Sequence, residues 1–339
     1  MQDAKNLKDY RQECKEALQN DYLRETLDKF AVAYRASRDK AFEGIDVDQL
    51  IEDVASMKDD TLKQLDTYYE QFKQNAEASG VIVHLAKDAD EANEIICRIG
   101  EQAGCSKVIK TKSMTAEETH LSAVMTNKGF DVTETDLGEW IIQLRQEPPS
   151  HMVMPAIHLS RYDVRDLFSD ITGQREDEDI DKLVKIARYQ MRRKFAEGEM
   201  GITGANFAVA ETGTIGIVTN EGNARLVTTL PKVHVALLGI DKLVPTIGDA
   251  LSQVKILTRN ATSQPITSYV TWVTGANECN SVEGQQKEVH FVVLDNGRRE
   301  MAMDPLFSQV FRCVRCGACA NVCPVYRLVG GHKMGHVYI

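Results

Sequence analysis

The first part of the chain places apolar residues at helical spacing among many charged ones. Between residues 47 and 78, for example, Leu50, Val54, Met57 and Leu65 recur at near-helical intervals. The same stretch contains no Gly or Pro, and the next residue that breaks helices is Gly80. We therefore predict an N-terminal helical region over residues 1–79, with amphipathic helices that pack on the main domain or on a partner.

After residue 80 the pattern changes to short apolar runs that alternate with helical segments. Runs at 81–86, 107–110 and 130–133 have the length and composition of buried strands, and helices are predicted between them. Alternating strands and helices are typical of a parallel sheet with helices on its faces. The predicted fold class is therefore α/β with a mainly parallel sheet.

The second half of the chain carries another series of strand-like runs, rich in Gly, Thr and Val. Two helices are predicted within 162–199, then strands at 207–210, 214–219, 225–229, 233–238, 268–274 and 290–294, with helices at 247–257 and 305–312. These patterns divide the chain into the helical region 1–79, an α/β domain over 80–300 and a cysteine-bearing segment over 301–339.

Composition narrows the functional classes. The formal net charge of −10 excludes a general nucleic-acid binder, because phosphate binding needs clustered Lys and Arg. No apolar run approaches the roughly 20 residues of a membrane span, and the first residues contain no apolar signal core. Four of the eight cysteines fall within eleven residues, which is typical of a metal centre in a reducing compartment. A cytoplasmic location is expected.

The strongest chemical signal is the run Cys313, Cys316, Cys319 and Cys323, followed directly by Pro324. This spacing, with gaps of two, two and three residues, is that of bacterial ferredoxins. Gaps of two residues let three thiolates surround one 4Fe–4S cube. A zinc site is the main alternative, but zinc cysteines usually form two separated pairs. The run therefore predicts an iron–sulfur cluster held by these four cysteines.

One such run supplies three ligands to one cube and a fourth to another. A second run is expected downstream, yet the sequence stops at Ile339. A truncated product is the preferred explanation. Otherwise the fourth ligand comes from Cys279, Cys14, a partner or water.

Two segments of the α/β domain carry candidate small-molecule residues. Residues 110–118 turn from a strand into a helix, where Lys112 and Ser113 are placed to contact an anion. In the segment 201–214, Glu211 follows an apolar strand and is the candidate catalytic carboxylate. The remaining candidates for the small-molecule pocket are Asn206, Thr212, Gly213 and Thr214. The alternative is that Glu211 caps a turn and that the glycines make hairpins.

These motifs together resemble the iron–sulfur B subunits of the bacterial three-component L-lactate oxidation system. The similar segments are 110–118, 147–151, 155–158, 201–214, 219–222, 225–232, 294–298 and 312–326. The resemblance implies a lactate-utilization domain with a fold like ribose-5-phosphate isomerase and the CoA transferases. It also implies a C-terminal ferredoxin-type part, incomplete in this chain.

The resemblance further implies how the cysteines and partners are used. Cys313, Cys316 and Cys319 would bind a first 4Fe–4S cluster and Cys323 a second one, completed only in a longer chain. The partners would be a cysteine-rich iron–sulfur protein and a smaller protein with a lactate-utilization domain.

The leading functional hypothesis is thus an electron-transfer subunit of an L-lactate oxidoreductase complex, and not a complete enzyme on its own. A second hypothesis is that the α/β domain itself binds and transforms a small carboxylate or acyl compound. A third is a scaffold without redox chemistry, if no cluster is assembled.

Overall fold

The computed structural model describes residues 6–276 and 287–334, and these residues form an α/β protein. The helices are α1 (Leu7–Gln19), α2 (Asp21–Ala41), α3 (Val47–Lys63), α4 (Leu65–Ala78), α5 (Ala89–Gln102), α6 (Met114–Glu118), α7 (Leu121–Asn127), α8 (Leu137–Arg145), α9 (Arg161–Thr172), α10 (Ile180–Glu197), α11 (Asn223–Thr229), α12 (Ile247–Thr262), α13 (Arg298–Met303), α14 (Ala318–Val322) and α15 (Tyr326–Val329). Short 3₁₀ helices cover Ile240–Lys242, Ser308–Arg312 and Gly331–Lys333.

The strands form two sheets. They are β1 (Ile82–Ala86), β2 (Lys107–Lys110), β3 (Asp131–Glu134), β4 (Met200–Thr203), β5 (Phe207–Val209), β6 (Thr214–Thr219), β7 (Val233–Gly239), β8 (Leu243–Val244), β9 (Tyr269–Val273) and β10 (Glu288–Leu294). The larger sheet has the order β1-β10-β7-β4-β2-β3 with parallel pairing throughout, and the smaller has the order β8-β5-β6-β9. The predicted α/β class with a mainly parallel sheet is confirmed.

The central strands of the large sheet are buried on both faces. Every residue of β7 and of β4 is buried, because helices cover one face and the N-terminal helices with the small sheet cover the other. Parallel strands so enclosed are expected to be continuous apolar runs, and β7 reads Val-His-Val-Ala-Leu-Leu-Gly. The carboxyl ends of these strands all lie along one edge of the sheet.

The predicted N-terminal helical region is confirmed as α1–α4, and its apolar stripe does pack on the main domain. Phe72 of α4 is fully buried and stacks on Phe291 of β10, with ring centroids 5.8 Å apart. Burying a large aromatic side chain contributes about 2–3 kcal/mol. Within the described residues, no helix combines the length and apolar character that crossing a bilayer requires.

The segment 225–229 was predicted as a strand, and this is wrong because it lies in helix α11. Its Val and Thr residues favour strands locally. The helix forms nevertheless, because Gly222 adopts a left-handed φ of 78° before it. A side chain at Gly201 of β4 would place its Cβ 2.1 Å from the Val227 carbonyl oxygen, so glycine there lets α11 pack directly on the sheet. The predicted helix at 305–312 is reduced to the 3₁₀ helix Ser308–Arg312.

His234 of β7 makes folding stability depend on pH. Its side chain is fully buried and its Nε2 lies 2.9 Å from Thr203 Oγ1. Burial, aided by Lys287 and His290, lowers the pKa of His234 from 6.5 to about 3. Below pH 6.5 the unfolded chain therefore binds a proton at His234, whereas the folded chain keeps this side chain neutral. The contribution of His234 to folding stability is present above pH 6.5 and is lost as pH falls below that value.

We expect His234 alone to make the free energy of unfolding about 2 kcal/mol smaller at pH 5 than at pH 8. Urea unfolding at both pH values, on the parent chain and on His234→Gln, measures this. The pH dependence should shrink by about that amount in the variant. An identical pH dependence in the two proteins would contradict the assignment.

Candidate functional site

A polar cavity of about 300 Å³ lies at the carboxyl edge of the large sheet. Its walls come from the segments that follow β2, β4 and β7, from the β6 end and the turn after it, and from the end of α12. Crevices at the carboxyl ends of parallel strands are the usual ligand sites of such sheets. Residues 314–316 of the cysteine segment form a further part of the wall, so the predicted cluster region and the cavity are adjacent.

Three of the predicted small-molecule residues line this cavity. Lys112 Nζ pairs with Glu139 Oε1 at 2.7 Å, and Ser113 Oγ accepts the Ala116 N–H at 3.2 Å. Asn206 Oδ1 accepts the Val218 N–H at 2.8 Å, which ties the segment after β4 to strand β6.

The other predicted residues lie on the turn between β5 and β6, away from the cavity lining. Glu211 is exposed, and its Oε1 accepts the N–H of Ile247 at the start of α12 at 2.7 Å. Gly213 has a φ of 65°, and a Cβ there would lie 2.2 Å from the backbone nitrogen of Ala76. The structure therefore groups Glu211, Thr212, Gly213 and Thr214 with α4 and α12, and does not bring them together with Lys112.

Thr212 and Thr214 serve different local roles on that turn. Thr214 Oγ1 lies 2.6 Å from Thr274 Oγ1, whereas the buried Thr212 Oγ1 has no hydrogen-bond partner among the described residues. The catalytic role of Glu211 stays a prediction. Its present contact is that of a helix cap.

A buried ion network below the cavity was not anticipated from sequence. Arg298 is only 8% exposed, and its Nε–H donates to Asp241 Oδ1 at 2.7 Å. Its Nη1 and Nη2 donate to the two carboxylate oxygens of Glu118 at 2.9 and 2.7 Å. Burial alone would raise the pKa of Asp241, but Lys242, Arg298 and Lys58 hold it well below its usual range. Gly239 makes room for the network, since a Cβ there would lie 2.1 Å from Asp241 Oδ1.

Lys58 reaches this network from helix α3. Its side chain is 3% exposed and its Nζ donates to the Asp241 carbonyl oxygen at 2.9 Å. Burial and the neighbouring Lys242 lower the pKa of Lys58 to about 8, while Asp241 and Cys313 favour its charged form. Helix α3 therefore brings a cation close to the cysteine segment, although its sequence indicated only packing.

The four predicted metal ligands are all free thiols. Cys313 and Cys319 are exposed, and Cys316 and Cys323 are partly buried. Burial and, to a smaller extent, the neighbouring Cys313 and Cys319 raise the pKa of the Cys316 thiol.

The loop that carries the first two cysteines has a left-handed backbone and directs a backbone N–H at a sulfur. Arg315 adopts a left-handed φ of 58° and donates its N–H to Cys313 Sγ at 3.4 Å. Gly317, which directly follows the second cysteine, has a φ of 79°, and a Cβ there would lie 3.1 Å from Val153 Cγ2. Left-handed backbone at a non-glycine residue costs about 1–2 kcal/mol, so this loop holds a conformation that an isolated chain would avoid.

The donor set fits a thiolate-bound cluster. Free cysteines at ferredoxin spacing, a backbone N–H directed at a sulfur and a glycine at the turn are the features such a group needs. Among residues 6–276 and 287–334, no three His, Cys, Asp or Glu side chains converge closely enough to hold a single metal ion. In a cubane each thiolate binds a different iron, so its ligands lie further apart than those of one ion. Cys279, the alternative ligand, lies outside the described residues.

The cysteine segment is held to the N-terminal helices. Arg312 forms a two-pronged ion pair with Asp59 of α3, with Nη2 2.6 Å and Nε 2.9 Å from the carboxylate oxygens. The buried His151 ring lies edge-on between Phe30 of α2 and Tyr326 of α15, with centroid distances of 5.8 and 5.4 Å. These contacts fix the segment against the cavity wall.

The fold and the site together define an α/β protein whose polar cavity is closed on one side by a cysteine-rich segment. The LUD domain profile matches residues 69–294, and the chain belongs to this family of lactate-utilization domains. The match starts before and ends short of the predicted α/β domain at 80–300.

Curated relatives are similar over most of this chain. The uncharacterized electron transport protein YkgF of Escherichia coli is 42% identical over 84% of this chain and 59% of its own length. Lactate utilization protein B of Anoxybacillus flavithermus is 44% identical over 82% of this chain and 59% of its own length. The protein of the same name from Oceanobacillus iheyensis is 39% identical over 97% of this chain and 69% of its own. The chain thus spans about three fifths of the first two relatives.

A solved structure of a DUF162 family protein from Deinococcus radiodurans is also similar. It is 16% identical, with a TM-score of 0.38, over 68% of this chain and 98% of that one.

Proposed function

We propose that this chain is the iron–sulfur electron-transfer part of a complex that oxidises L-lactate to pyruvate. The observation that carries the proposal is the set of four free thiols at ferredoxin spacing, seated where Cys316 lines a polar cavity of the lactate-utilization domain. The names of the relatives, an electron transport protein and lactate utilization proteins, support the same role. When bound, a 4Fe–4S cluster supplies one-electron transfer.

The chain's own residues prepare the site for thiolates. The Arg315 N–H stabilises negative charge on Cys313 Sγ, and Lys58 contributes a positive charge from the side of α3. Hydrogen bonds to sulfur and nearby charges are the protein's means of setting a cluster potential. The proposed partners are a cysteine-rich iron–sulfur protein and a smaller protein with a lactate-utilization domain.

Purification without oxygen tests the proposal. We expect a coloured protein with about four iron and four sulfide per occupied site, and an electron paramagnetic resonance signal after dithionite reduction. A colourless protein, or one that contains only zinc, would overturn it. A cluster-free chain that still assembles with its partners would support the scaffold alternative.

Lys58 gives a quantitative prediction for the cluster potential. Replacing Lys58 by Met removes a positive charge near Cys313 and so favours the oxidised cluster. We expect the midpoint potential to fall by an amount on the order of tens of millivolts in a titration followed by electron paramagnetic resonance. Lys63→Met is the matched control, since Lys63 lies on the same helix with its side chain 72% exposed. Equal potentials in all three proteins would count against a role for Lys58.

The cavity supports a second candidate function, in which the α/β domain itself binds a small carboxylate. Glu211→Gln in the assembled complex tests the predicted catalytic carboxylate separately from the cluster. Full lactate turnover in that variant would exclude an essential role for Glu211, which caps α12 in this structure.

A further inference from the structure

The wall of the cavity contains buried polar atoms that have no hydrogen-bond partner in the part of the chain that the structure describes. Thr111 and Asn223 are 2% and 6% exposed, yet Thr111 Oγ1 and Asn223 Oδ1 have no hydrogen-bond partner among the described residues. The same holds for Arg315 Nη1, which the cysteine segment contributes. A buried polar atom left without a partner costs about 1–3 kcal/mol. Thr219 Oγ1 at the end of β6 is a fourth such atom, and Lys112 Nζ, although it pairs with Glu139, also makes no regular hydrogen bond. This group of atoms on one cavity indicates a site built for a ligand.

One of the cations that line the cavity has no ion-pair partner among the described residues. Lys112 is paired with Glu139. Arg298 is paired with Glu118 and Asp241, and Lys242 Nζ lies 3.5 Å from Asp241 Oδ2. Within the described part of the chain, the Arg315 guanidinium has no carboxylate oxygen within 4.0 Å.

Two further carboxylates line the cavity, and neither contacts Arg315. Asp136 accepts the N–H groups of Gly138 and Glu139 at the start of α8. Glu221 lies on the exposed turn after β6. Arg315 helps to lower the pKa of Glu118, but the two side chains form no ion pair among the described residues. The guanidinium can therefore still form an ion pair with an anion that enters the cavity.

Two of these unsatisfied atoms, Arg315 Nη1 and Asn223 Oδ1, also specify the chemistry of that anion. A guanidinium recognises planar carboxylates through two parallel hydrogen bonds. Asn223 Oδ1 is an acceptor, so its partner has to carry an O–H or N–H group, which a carboxylate lacks. A volume of about 300 Å³ is at the small end of ligand cavities.

We propose that this cavity binds a small hydroxycarboxylate, whose carboxylate is held by Arg315 and whose hydroxyl donates to Asn223 Oδ1. The site is built from described residues alone, and it depends on the proposed function only for the choice of L-lactate as the first probe. Arg315 lies between Cys313 and Cys316, so the residue that anchors the ligand also belongs to the loop that presents the thiolates.

Calorimetric titration of the full 339-residue chain tests the site. L-Lactate, pyruvate and inorganic phosphate are each titrated into protein prepared without iron and into protein reconstituted with iron and sulfide. We expect L-lactate to bind in both preparations, and pyruvate, which has no hydroxyl, to bind more weakly. Arg315→Gln should weaken L-lactate binding about 10- to 100-fold, since a charged hydrogen-bond partner is lost. Arg315→Lys should recover part of the affinity because it keeps the charge.

Arg193→Gln is the control, because Arg193 has a side chain that is 79% exposed and pairs with Glu197, and neither residue lines the cavity. It should bind L-lactate as the parent does, and circular dichroism confirms that each variant is folded. The proposal is overturned if L-lactate binds to neither preparation, if Arg315→Gln binds it normally, or if phosphate binds as tightly. If the chain binds L-lactate but takes up no iron, only the proposed electron-transfer function is contradicted. If it takes up iron but does not bind L-lactate, only the inferred hydroxycarboxylate site is contradicted.

Discussion

Replacing Cys316 by Ser is expected to abolish cluster binding. Cys316 is the middle ligand of the first three, and it lies partly buried against the cavity wall. A serine hydroxyl is far less acidic than a thiol and binds iron poorly, so one corner of the cube would lose its ligand. Iron and sulfide content, visible absorption and the reduced electron paramagnetic resonance signal should all fall to background.

Cys105→Ser is the matched control for this loss. Cys105 is buried two residues before strand β2. Its Sγ lies 3.9 Å from the Ala103 carbonyl oxygen, a contact that serine can keep. This variant should retain the iron content of the parent. Cys316→Ser protein with a full complement of iron and sulfide would remove Cys316 from the ligand set.

Cys323→Ser distinguishes two hypotheses about the cysteine run, namely that Cys323 binds a second cluster or that it completes the first one. If Cys323 serves another cluster, as the family resemblance implies, its loss leaves the first cluster in place. If all four cysteines hold one cube, iron content falls as it does for Cys316→Ser.

The central strands of the large sheet could be predicted from sequence because they are buried on both faces. The runs at 81–86, 107–110 and 233–238 each match an observed strand to within one residue at either end, although β1 is a partly exposed edge strand and β2 begins and ends with Lys. Helix α11 could not be predicted in the same way. Its Val and Thr residues favour a strand, and the helix depends on the left-handed Gly222 before it and on Gly201, which lets it pack closely on the sheet. That contact joins segments far apart in sequence.

The site could be predicted only where a general rule of sheet topology applies. Lys112 and Ser113 follow a strand, and the carboxyl ends of parallel strands meet at the ligand edge. Glu211 also follows a strand, but β5 belongs to the small mixed sheet and its turn packs on α4. Sequence periodicity does not tell which sheet a strand joins, so the two groups of candidates could not be separated in advance.

The buried charges were missed for a different reason. Lys58 lies on an amphipathic helix among many charged residues, where a solvated lysine is the ordinary expectation. Its burial follows from its contact with Asp241, a residue of a distant segment. The segment 294–298, one of those that carry the family resemblance, was the available signal in the sequence. Its role follows only from the contacts of Arg298 with Glu118 and Asp241.

Replacing Arg298 by Met is expected to lower the free energy of unfolding by about 3–5 kcal/mol. The substitution keeps the length of the side chain but leaves the buried carboxylates of Asp241 and Glu118 without the cation that both contact. Urea unfolding at pH 7.5 measures the loss. Asp241 adds to stability above its ordinary pKa near 4, and this stability is lost as pH falls below that value, because its folded pKa is depressed. In the variant that acid loss should be smaller and should end at a higher pH, since one of the cations that lower the folded pKa is gone.

Arg299→Met is the control, because Arg299 is the next residue and pairs with Asp66, whose side chain is 79% exposed. An exposed ion pair contributes about 0–1 kcal/mol, so this variant should stay within that range of the parent. Equal losses in the two variants would show that helix α13 and not the buried network is responsible. A large loss confined to Arg298→Met would instead locate the stability in the charges beneath the cavity.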